Sequence, residues 1–134
     1  TLLIFENNMT FEFSDFKEHK FKKILLVLNN TNRAIKLSEK VLKFKADLLK
    51  DQKTRLEEKS INCEIINIDD LKNIAENVYA LYPTVGENFD FIQNNNLNNI
   101  KLLYRKLDQF SWQYCNKGFF NFKNYIPKII AKFN

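Results

Sequence analysis

Asn29, Asn30, Thr31 and Arg33 stand between a short apolar run and a long amphipathic stretch. In an α/β chain that is where free backbone N–H groups and the positive end of a helix dipole meet an anion. Arg33 adds a planar guanidinium able to pair two oxygens at once. A second polar pair, Asp69 and Asp70, closes a later apolar stretch and has the chemistry to hold a cation or exchange a proton. Adjacent carboxylates on a strand point to opposite faces, so that role needs a turn between them. Helix capping explains both groups more simply, since Asn, Thr and Asp side chains satisfy the first N–H groups of a helix.

Other chemistry is sparse. His19, the sole histidine, sits between Glu18 and Lys20 with no serine or cysteine beside it, and reads as a surface residue. Cys63 and Cys115 lack metal-ligand spacing and read as buried, inert thiols of a reducing, intracellular compartment. The chain contains neither GxGxxG nor GxxxxGK[ST], and its two glycines are Gly86 and Gly118. No catalytic set, metal site or cofactor is predicted.

A third group lies near the C-terminus. Arg105, Lys117, Phe119, Lys123 and Lys128 interleave cations with aromatics, a pattern that stacks bases or side chains while lysines meet negative charge. Residues 97–134 hold seven basic and one acidic group, whereas residues 61–96 hold one basic and six acidic. This asymmetry fits partner recognition and equally fits internal charge balance. By its position after Gly118, the Phe119–Phe122 segment reads first as core aromatics following a helix end.

The elements that must position these groups centre on Lys23–Asp70. Ile24–Leu28 is a continuous apolar run, as in a strand buried on both faces. From Asn32 the spacing turns helical. Ala34, Ile35, Leu37, Val41, Leu42, Phe44, Leu48 and Leu49 form one stripe, with Lys45 the only charge inside it. Lys45 is expected to lay its stem along the core edge and keep its ammonium in water. The polar continuation to Lys59 is expected to project. Ile61–Ile68 returns to β-branched strand character, so the centre reads as a parallel βαβ unit.

Around that core, Leu2–Phe5 and Thr10–Phe13 read as an N-terminal hairpin turning at Asn7-Asn8. Leu71–Tyr82 reads as a helix ended by Pro83, Phe89–Ile92 as a third strand, and Leu97–Tyr114 as a further helix. Pro127 fits the first turn of a last short helix. The fold class is thus α/β, a small parallel-sheet βαβ core with flanking helices and an N-terminal hairpin. The alternative is a mostly α-helical bundle, in which one helix runs from Asp15 through Leu28.

At 134 residues and 45% hydrophobic the chain predicts a single domain, 1–134, with an adequate core. It shows no apolar run near the ~20 residues of a membrane span. A first residue Thr1 and a lone Met9 suggest a piece of a larger protein. Two functions compete. One is a soluble basic interaction module whose aromatic, lysine-rich C-terminal region binds an acidic protein or nucleic acid. The other is an α/β domain, or part of a transferase, holding a nucleotide-like or anionic ligand at the strand C-terminal edge. Scarce glycine and a single histidine tilt the sequence reading toward the first.

Overall fold

Five parallel strands form one sheet: β1 (Leu2–Phe5), β2 (Ile24–Leu28), β3 (Cys63–Asn67), β4 (Val78–Leu81) and β5 (Ile100–Leu103). Their spatial order is β3-β2-β1-β4-β5, every neighbouring pair parallel. The structure, a computed structural model, describes residues 1–9, 11–13, 15–30 and 35–133. These form two compact units, Thr1–Leu103 and Tyr104–Asn134, which are treated separately. The α/β expectation holds and the helical-bundle alternative does not.

β1 is the spine of the sheet. Leu2, Leu3, Ile4 and Phe5 are all fully buried, because alternate residues face opposite layers. Leu3 and Phe5 join Leu25, Val27, Ala80, Phe91 and Ile92 on one face. Leu2 and Ile4 join Ile24, Leu26, Leu49 and Leu56 on the other. α1 (Glu39–Glu58) covers the second face and α2 (Glu87–Asn94) the first, which makes the sheet a doubly wound one.

The predicted hairpin is therefore replaced. A hairpin arm shows one face to water, whereas an all-apolar segment gains most from burial on both faces, as the centre of a parallel sheet provides. Phe11–Phe13 forms a 3-10 turn rather than a second arm. The expected helix over 71–82 is a 3-10 segment (Ile68–Asn73) followed by β4, where sheet pairing with β1 and β5 overrides helical spacing. Phe89–Ile92 lies within α2 and not in a strand. The expected helix over 97–114 divides into β5 and α3 (Lys106–Trp112).

α1 also departs from its predicted stripe. It starts at Ser38, whose Oγ accepts from Val41 N, and an N-cap at Thr31 lies outside the described residues. Leu49 of the stripe is buried as expected, but the other buried residues, Gln52 and Leu56, lie in the continuation expected to project. Gln52 is tolerated there because its Nε2 donates to Glu12 Oε2 (3.1 Å) and its Oε1 accepts from Arg55 (2.5 Å). Val41 and Phe44, by contrast, are exposed at 42% and 62%.

Glu12 belongs to this buried cluster. Burial raises its carboxyl, but a backbone hydrogen bond, Gln52 and the charges of Arg55 and Lys59 outweigh it and hold the group below its ordinary range. The unfolded chain then binds more protons than the folded one in mildly acidic solution, so stability falls as pH drops. Thermal melts below about pH 4.3, the ordinary glutamate value, should show that fall, and Glu12→Gln should flatten it. Equal pH slopes in the two proteins would remove Glu12 from the account.

The second unit consists of α3, a 3-10 turn (Cys115–Lys117), α4 (Phe119–Phe122), another 3-10 turn (Lys123–Tyr125) and α5 (Ile126–Phe133). Its aromatics pair with one another: Tyr114 stacks on Tyr125, and Phe110 meets Phe133 edge-on. No helix among the described residues is long and apolar enough to cross a membrane.

Candidate functional site

Chain order runs outward from β1 in both directions, to β2 and β3 on one side and to β4 and β5 on the other. The connections leaving β1 and β4 part at their C-terminal ends, and the gap between them is where open parallel sheets take ligands. A crevice of 460 Å³ lies there. Glu6 and Asn7 line it from the end of β1, and Pro83, Val85, Gly86, Glu87 and Asn88 from the end of β4. Val41, Phe44, Lys45 and Leu48 of α1 form the remaining wall. The exposure of Val41 and Phe44 thus has a location: they are the apolar side of the crevice.

Lys45 holds the site together. Its ammonium has three donors and three acceptors: Glu6 Oε1 at 2.6 Å, the Asn29 carbonyl at 2.9 Å and Glu87 Oε1 at 3.4 Å. Its side chain is only 14% exposed, and the ammonium meets three acceptors where the sequence suggested water alone. Glu6 is buried further, at 5%, and its second oxygen, Oε2, has no hydrogen-bond partner. An unmet buried acceptor costs about 1–3 kcal/mol, more when charged, so this atom is a deficit the fold carries.

The loops that frame the crevice are tied across it. Asn7 Nδ2 donates to the Pro83 carbonyl at 2.5 Å, and Asn8 Nδ2 to the Tyr82 carbonyl at 2.9 Å. The two asparagines expected to turn a hairpin instead fasten β1's exit to β4's. Asn29 Nδ2 donates to Asn88 Oδ1 at 2.9 Å, both residues being buried. Thr84 and Gly86 have φ of +63° and +127°. The first is a strained position for a β-branched residue, and the second one that favours glycine. Strain of this kind gathers at ligand-binding loops.

The structure distributes the sequence-predicted residues unevenly. Asn29 reaches the site, but as a buried strut behind Lys45 and Asn88. Asn30 is exposed, and Thr31 and Arg33 lie outside the described residues. Asp69 and Asp70 are exposed beyond β3, at the sheet edge, away from the crevice. Asp70 Oδ2 accepts from Asn67 N at 2.9 Å, the capping role, and Asp69 pairs with Lys72 at 3.1 Å. Glu6 and Glu87 were not singled out by sequence, and Lys45 only as a charge at the core edge, not as a site residue. Their signals were a carboxylate directly after a wholly apolar run, the one charge inside an apolar helical stripe, and an acid directly after glycine.

In the second unit Lys123 lies over Phe120 at 5.3 Å and Lys128 over Tyr114 at 5.3 Å, while Lys132 lies over Phe110 at 4.0 Å. Phe119 and Phe120 are exposed at 65% and 79%, so they are not core aromatics. Arg105 precedes α3, and Lys117 ends a 3-10 turn. Cys115 is exposed, contrary to the expectation of burial, whereas Cys63 is buried and its thiol pushed up by that burial. His19 is exposed and packs against Phe16 and Phe21. Among the described residues no group of three His, Cys, Asp or Glu side chains is placed to hold a metal. No family model matches this chain, and no curated protein or solved structure matches it significantly.

Proposed function

We propose that the α/β unit is a binding unit for a small organic molecule, taken up in the crevice between the ends of β1 and β4. The observation that supports this most is the lining of the crevice, where the Glu6–Lys45–Glu87 charges stand at the strand ends together with exposed apolar side chains of α1. A volume of 460 Å³ falls within the ordinary range of small-molecule sites, about 300–1,000 Å³. Polar groups at one end and an apolar wall at the other fix a ligand's orientation while burying its body. The test is a titration with small polar compounds, nucleotides and nucleotide sugars included, followed through the amide signals of Asn7, Gly86 and Asn88. Saturable shifts at those amides are expected for at least one compound. Shifts confined to other residues, or none at millimolar concentrations, would refute the site.

A second reading concerns Tyr104–Asn134. Three lysines lie over aromatic rings, and two phenylalanines stand in water, which supports a surface for nucleic acid or an acidic protein. Binding of a labelled single-stranded oligonucleotide should weaken steeply as salt rises, by counterion release. Replacing Lys117, Lys123 and Lys128 together should flatten that dependence. Salt-independent binding would set this reading aside.

A further inference from the structure

We propose that the α/β unit carries a second binding site, for a phosphate monoester of a small aromatic molecule, at the N-terminal ends of β2 and β3. A cavity of 400 Å³ opens there, at the end of the parallel sheet opposite the crevice. It lies between residues 17–22, which lead into β2, and Ser60–Asn62, which lead into β3. Its size is within the range of small-molecule sites, about 300–1,000 Å³. It shares no residue with the crevice or with Tyr104–Asn134.

The charge around this cavity is one-sided. Lys17, Lys20 and Lys22 line it, with His19 among them, against a single carboxylate, Glu18. That is a surplus of two positive charges before His19 is counted. Lys23, the next residue, is held by Glu64 at 2.6 Å. Lys17, Lys20 and Lys22 have no such partner among the described residues. The other residues of the chain cannot reverse the balance, since their side chains include no acid and one cation, Arg33. All three lysines are exposed, so each can swing its ammonium onto an anion without leaving a protein acceptor unmet. A phosphate monoester carries about −1.5 to −2 charges near neutral pH and three acceptor oxygens. It matches the surplus and offers each lysine an oxygen, which a lone carboxylate does not. The inner wall is apolar. Half-buried Phe21 and Ile61 contribute to it, and the His19 ring lies nearly parallel to that of Phe21 at 6.0 Å. A ring carried by the phosphate can pack against this pair, offset or edge-on.

Four compounds separate the head from the body: phenyl phosphate, phenyl sulfate, phenol and inorganic phosphate. Each is titrated into the full chain, with the amides of His19, Phe21 and Asn62 as the readout. Phenyl phosphate is expected to bind at least about tenfold more tightly than phenol, with phenyl sulfate between them, because each added charge meets lysines at close range. Inorganic phosphate should bind more weakly than phenyl phosphate, having no ring to bury. Lys20→Gln combined with Lys22→Gln should weaken phenyl phosphate several-fold and leave phenol unchanged. Both side chains are exposed, so the fold is retained. Lys43→Gln removes an exposed cation of α1 outside this cavity and should change neither affinity. Phenol, phenyl sulfate or inorganic phosphate binding as tightly as phenyl phosphate would overturn the proposal. Equal losses in Lys43→Gln and the double variant would also overturn it, by marking attraction to the chain's net charge of +5 in place of a site. No shift of those amides at millimolar concentrations, or shifts at Asn7 and Gly86 instead, would do the same.

Discussion

Lys45→Met is expected to lower the stability of the α/β unit by about 3–5 kcal/mol, the usual cost of removing one partner from a buried ion pair. Methionine keeps the stem and its packing but removes all three donors. Glu6 is then left almost buried with neither oxygen paired, and the Asn29 carbonyl loses its ammonium. Glu87 is less affected because it is 23% exposed and can turn to water. The loss should be visible as a fall in the urea midpoint with an unchanged slope. Adding Glu6→Met to the same chain should recover most of it, since two apolar residues replace a buried pair without stranding a charge. A single replacement costing under about 1 kcal/mol, the level of a surface ion pair, would mean that Lys45 does not organise the site.

Phe5→Ala should cost about as much, roughly 3–5 kcal/mol, by a different route. Phe5 is fully buried at the end of the central strand, in the layer that holds Leu25, Val27, Ala80 and Phe91. Truncation removes apolar burial and leaves a cavity that neighbours on both adjoining strands cannot readily fill. Phe44→Ala is the control, because Phe44 is 62% exposed on the crevice wall. Its effect on stability should stay within about 0.5 kcal/mol, while ligand binding in the crevice should suffer. Similar losses for the two phenylalanines would contradict the burial pattern on which the fold description rests.

The βαβ centre was legible in the sequence because its signals were long and mutually consistent. Ile24–Leu28 could be read as a two-sided strand, and Cys63–Asn67 as its partner across an amphipathic helix. What escaped was the other half of the sheet. β1, β4 and β5 are four residues each, short enough that Leu2–Phe5 fits a hairpin arm and Val78–Leu81 fits a helical stripe. Their identity is fixed by pairing with strands distant in sequence: Leu2 lies beside both Ile24 and Tyr79. No local window contains that information. The site was lost with them, since a ligand edge drawn from β2 and β3 alone points to Asn30, Asp69 and Asp70, whereas the reversal lies between β1 and β4. The helix misled in a further way. Its apolar N-terminal half looked like the core face, yet Val41 and Phe44 line the crevice and the polar half carries Gln52 and Leu56 into the core.

Glu6 stands beside Gly86 and Glu87 only if β1 runs between β2 and β4, parallel to both. Backbone nuclear Overhauser contacts in the isotopically labelled chain measure this directly. Leu3 should show cross-strand contacts to the Leu25 region on one side and to the Ala80 region on the other, in the parallel pattern. Antiparallel contacts between Leu2–Phe5 and the Phe11–Phe13 segment, with none to Ala80, would contradict the account and take the crevice with it.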